Sequence, residues 1–168
     1  MKLFLSAFFS SIFFLAGLFG KNSQVDYSNF AKRLTADFSR KLEKFDGMIP
    51  LGSGGAMMND IQVISLTMLI RKSLSIEQNR KLIVEKSEEF LRMINSDVKI
   101  RPFLHDYPFT SKNLDLVFTV ESSSISSPCV SIVTVYKCKI LYADQDRKYF
   151  LTESYEDAVK MLNDSKNN

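Results

Sequence analysis

Three segments in the middle of the chain restrict its fold more than anything else in the 168 residues. The first, Ile61 to Ile70, is rich in β-branched and long apolar side chains. Ile64, Leu66, Met68 and Ile70 fall on one face, and Ile61, Val63, Ser65, Thr67 and Leu69 on the other. Two partly apolar faces predict an interior strand. Next, Ser75-Ile-Glu-Gln78 has the form of a capping box, in which a serine hydroxyl and a glutamine side chain satisfy first-turn amides reciprocally. The helix it starts runs to about Asn95, with Ile76, Ile83, Phe90, Leu91 and Ile94 as its inner stripe and its charges on a solvated face. In the third segment Leu114, Leu116, Phe118 and Val120 alternate with Asp115, Val117, Thr119 and Glu121, a strand with one buried face. A strand that returns through a long helix pairs in parallel, so these segments predict one parallel pair.

The flanks add the remaining elements. From Val25, Tyr27, Phe30, Leu34, Phe38, Leu42 and Phe45 follow helical steps of three and four, and Asp46-Gly47 with Pro50 stops the run. The glycine-rich "LGSGGAMMND" reads as a flexible lead into the first strand. Val130 to Leu141 reads as the longest strand, and "ADQD" turns it into Lys148 to Thr152. Ser154 caps a last helix with Tyr155, Ala158, Val159 and Leu162 inward, and "NDSKNN" is a frayed tail. The expected order is α-β-α-β-β-β-α. It corresponds to a single α+β domain over residues 21–168, a mainly antiparallel sheet of about four strands with helices on one side.

Residues 1–20 have a different character. Lys2 precedes an uncharged run, Leu3 to Phe19, dominated by Phe, Leu, Ile and Ala and closed by Gly20. This is the layout of a secretory signal peptide, which predicts export to the periplasm or beyond. Phe and Leu near the cleavage point leave an uncleaved membrane anchor as the alternative. The net charge of +3, with basic residues scattered among acidic ones, argues against nucleic acid as a partner. The only cysteines, Cys129 and Cys138, flank "VSIVTVYK", which reads as continuous strand. That much extended chain covers roughly 30 Å, whereas a disulfide needs Cα atoms within about 7 Å. Two packed thiols are therefore expected; a disulfide remains the alternative if the strand breaks.

Chemistry-bearing residues concentrate in "IRPFLHDYPFTSKNLDL", Ile100 to Leu116. It holds the single histidine, His105, beside Asp106, between Pro102 and Pro108. Imidazole titrates near neutrality, so His105/Asp106 is the candidate acid–base pair of a hydrolase. No serine or cysteine lies in a nucleophile-elbow pattern, however, and one histidine with two distant cysteines makes no recognisable metal set. The glycine segment lacks the residues of a phosphate-binding loop and precedes a strand rather than a helix, so no cofactor is expected. The two prolines instead predict a packed corner that ends the preceding helix. Arg101, His105 and Tyr107, with Met57 and Met58 from the glycine segment, are the candidate ligand- or partner-binding residues, and no catalytic residue is assigned.

The segments "GGAMMNDI", "SLSIEQNRKLIVEKSEEFLRMIN" and "IRPFLHDYPFTSKNLDL" resemble a family of short exported proteins of unknown function from chlamydia-like intracellular bacteria. The likeness covers about Gly52 to Val120, and its Arg-Pro-aromatic-Leu and Tyr-Pro-Phe-Thr elements are the most specific. It implies a role at the bacterial envelope or toward a host, and no activity, cofactor or catalytic residue. The expected function is that of an exported non-catalytic domain that binds a protein or a small ligand. A hydrolase using His105 and Asp106, or a periplasmic domain kept on a membrane anchor, are the alternatives.

Overall fold

A computed structural model describes residues 27–121 and 130–166. The expected signal peptide and Cys129 lie outside them. Helix α1 (Tyr27–Asp46) is followed by strands β1 (Ile49–Ala56) and β2 (Val63–Ile70), then helix α2 (Ile76–Ser96). Strands β3 (Leu114–Val120), β4 (Ile132–Tyr136), β5 (Lys139–Ala143) and β6 (Tyr149–Ser154) lead into α3 (Tyr155–Lys166). The class is α+β, with six strands in the order β1-β2-β3-β4-β5-β6. Only β2 and β3 run parallel, joined through α2, and every other neighbouring pair is antiparallel.

Two strands beyond the expected four come from misread turns. Residues 49–56 form an edge strand paired with β2 rather than a flexible lead, although glycine has low strand propensity. The long strand expected over Val130–Leu141 is broken at Lys137 and Cys138, which take φ of 46° and 61° in a two-residue hairpin turn. Cys138 is exposed in that turn rather than packed. Gly47, at φ 65°, ends α1 in a conformation that only glycine adopts without steric cost, and the Met48 amide closes back onto the Leu42 carbonyl.

The core lies between the sheet and the helices. Ile64, Leu66, Met68, Leu116, Phe118, Val133, Val135 and Ile140 fill the inner face of the sheet. From the helices come Leu34, Phe38, Leu42, Ile83, Phe90 and Ile94, with the Phe38 and Phe90 rings stacked at 4.4 Å between centroids. The capping box of α2 is formed as expected, with Gln78 N donating to Ser75 Oγ and Ser75 N donating to Gln78 Oε1. Phe45 departs from the expected stripe and stands 71% exposed at the end of α1. β2 lies between β1 and β3, an interior strand as expected, while the opposite face of β2 and β3, with Val63, Thr67, Leu69, Val117 and Thr119, is only partly buried.

Candidate functional site

The chain between α2 and β3 is a structured corner. Asp97 Oδ1 accepts the amides of Lys99 and Ile100 and turns the chain out of the helix. A short 3-10 turn over Arg101–Phe103 carries Pro102 near its start, where a missing N–H costs nothing. Tyr107 and Pro108 are joined by a cis peptide bond. Ile100 and Phe109 are buried, and Phe103 stacks on Tyr27 and Phe30 of α1. The Asn95 side chain holds Phe109 by donating to its carbonyl at 2.9 Å and accepting from its amide at 2.7 Å. A second short turn, Ser111–Asn113, is capped by Thr110 and delivers the chain into β3.

This corner lies alongside the chain that enters β2. Ile61 N donates to the Phe103 carbonyl, and His105 N donates to the Ile61 carbonyl, a parallel bridge between Ile61 and Leu104. The bridge sets His105 Nδ1 2.7 Å from Asp60 Oδ2, so the acid facing the imidazole is Asp60 and not Asp106. Their hydrogen bond, then the carboxylate charge, holds the His105 pKa above the ordinary imidazole value. The second Asp60 oxygen is buried with no hydrogen-bond partner among the described residues. Asp106 instead accepts from Asn113 Nδ2 at 2.8 Å and faces Lys112 at 3.5 Å. The Asn113 hydrogen bond chiefly keeps its carboxyl below the usual range. Asn113 Nδ2 also donates to the Gln62 carbonyl, which ties the corner to the same incoming chain.

Arg101 and Tyr107 come together, with the guanidinium carbon 4.6 Å from the ring centroid. Both reach the Asn95 carbonyl, at 3.2 Å and 3.5 Å. Tyr107 keeps half of its surface exposed. Met57 and Met58 lie apart from that pair: their carbonyls accept the Tyr27 hydroxyl, Met57 packs against the core, and the Met58 side chain is 84% exposed.

Beside the corner, an open groove of about 680 Å³ runs between α2 and α3. Leu91, Pro108, Phe109 and Val159 supply its apolar surface, and Glu88, Arg92 and Glu156 its charges. Tyr155, otherwise buried, donates its hydroxyl to Glu88 Oε1 at 2.9 Å and so joins the two helices across one side. Tyr107 adjoins the groove through Pro108 and Asn95, whereas His105 is not part of its lining. Sequence spacing missed Asn95, Asp60 and the groove. Asn95 sits where a helix was expected to end, and an amide at such a position facing an X-Pro turn was the available signal. No protein-family model, no curated protein and no solved structure matches the chain.

Proposed function

We propose that this chain is a binding domain that acts after export, and that its ligand site is the groove between α2 and α3. One observation carries this reading: a concave, mostly apolar surface of about 680 Å³, walled by two helices and by Pro108 and Phe109, with a few charged groups at its sides. That combination of apolar floor and sparse polar groups suits a small ligand or a short peptide with an apolar body. Tyr107, half exposed and backed by Arg101, extends the surface at one side and serves as a rigid contact with few rotamers to lose. Export rests on the signal-peptide pattern of residues 1–20 and on the resemblance over Gly52 to Val120.

The hydrolase alternative needs a proton acceptor with a reacting group beside it. His105 is half exposed and committed to Asp60, so its site would be the surface beside that pair and not the groove. The two readings separate in a titration with indole and with short aromatic peptides, followed by ¹H–¹⁵N shifts. Binding in the groove moves the amides of Asn95, Phe109 and Val159, and Val159→Arg abolishes it while His105→Ala leaves it unchanged. Shifts confined to Asp60 and His105, or none in any of these residues, overturn the groove assignment.

A further inference from the structure

Among the described residues the sheet ends in β1, whose only strand neighbour there is β2, so its outer row of backbone N–H and C=O groups has no strand partner among them. Natural edges are protected by charged side chains, prolines, bulges or a covering element. In β1 these devices stop early: Pro50 and the register shift between Pro50 and Gly52 lie at its start. Beyond them Gly52, Ser53, Gly54, Gly55 and Ala56 are all exposed. The opposite edge, β6, differs: Lys148 precedes it, Glu153 lies in it, and α3 continues directly from its end.

Two exposed apolar side chains flank the bare segment, Leu51 at 54% and Met58 at 84%. Gly52 and Gly54 have neither a positive φ nor a neighbour that a Cβ would meet, so nothing inside the domain calls for glycine there. Glycine in a strand often marks the close approach of another backbone. No charged residue occurs between Asp46 and Asp60.

We propose that β1 pairs with β1 of a second copy of this chain, antiparallel and two-fold symmetric, extending the sheets into one. In that arrangement, with Ser53 at the two-fold axis, Gly52 of each copy faces Gly54 of the other and Leu51 faces Gly55. An uncharged strand meets its own copy without like-charge repulsion, and it offers no charge by which to select a different, charged peptide. The surface is separate from the groove between α2 and α3.

Ser53 sits near the two-fold axis of this pairing and is exposed, so substitution there leaves the fold intact. Sedimentation equilibrium of the full chain, at increasing concentration, reads the association. The wild type forms dimers. Ser53→Lys and Ser53→Glu, each placing like charges across the axis, weaken self-association by about tenfold or more. An equimolar mixture of the two variants restores dimers, now of mixed composition. A monomeric wild type, an association indifferent to these variants, or a mixture that fails to recover it overturns the proposal. The last two results assign association to another surface.

Discussion

Asn95 and Phe109 are bound to each other as two strands would be, one side-chain amide answering both backbone groups of a residue fourteen positions away. This pairing fixes the corner that follows α2 and, with it, one wall of the groove, because Pro108 and Phe109 are both lining residues. Asn95→Ala removes both partners and leaves the Phe109 amide, next to a buried ring, without an acceptor. The expected loss is about 1–3 kcal/mol of unfolding free energy. Urea denaturation measures it. Asn95→Asp keeps the acceptor and loses the donor, so it should fall between wild type and Ala. A loss below about 0.5 kcal/mol for Asn95→Ala, within the usual range for surface changes, shows that the corner is held by packing alone.

His105 and Asp60 predict a titration. The folded His105 pKa is raised, chiefly by its hydrogen bond to Asp60 and then by that carboxylate's charge. A raised pKa means that the pair contributes stability while imidazole is protonated, below about 6.5, the ordinary imidazole value. The contribution is lost as pH rises through the folded value. Because His105 is the only histidine, its Cε1 proton gives an unambiguous NMR curve. Asp60→Asn should lower the midpoint toward the ordinary value, and Asp106→Asn should move it less. Equal shifts from the two substitutions contradict the assignment of Asp60 as the partner.

How far these relationships could be read in advance follows from their range in sequence. Periodicity identified the inner faces of α2 and β3, because each repeats over several turns or residues against one continuous core. The same periodicity placed Phe45 with Phe38, yet Phe38 stacks on Phe90 while Phe45 lies in the last turn of α1 and is exposed. A stripe gives the direction a side chain points and not where its packing partner ends. β1 was hidden because its glycines lack strand preference; pairing with β2 supplies what propensity does not. The turn at Lys137 and Cys138 carries neither glycine nor asparagine, so nothing local announced it. Asp60 is forty-five residues from His105, and only the bridge between Ile61 and Leu104 makes them neighbours.

The largest expected effect of a single charge comes from Glu153. Arg80 Nε lies 2.9 Å from both of its carboxylate oxygens, and the Tyr142 hydroxyl donates to one of them. The Arg80 and Glu153 side chains are only 19% and 13% exposed, so this group works in a partly desolvated setting where α2 meets β5 and β6. Glu153 raises the Arg80 pKa through their hydrogen bond, and burial with the same carboxylate raises that of Tyr142. Glu153→Ala strands a guanidinium and a phenol at once, with an expected cost of about 2–4 kcal/mol. Asp37, whose pair with Arg40 is open to water, provides the comparison: Asp37→Ala should cost less than about 1 kcal/mol. Double-mutant cycles over Arg80→Met and Glu153→Leu separate the pair's coupling from the penalty of leaving one charge alone. If the double substitution is as stable as wild type while each single change is costly, the pair specifies position rather than adding stability. If the single changes are also neutral, the site is wetter than its burial indicates, and the network does not anchor β6 to α2.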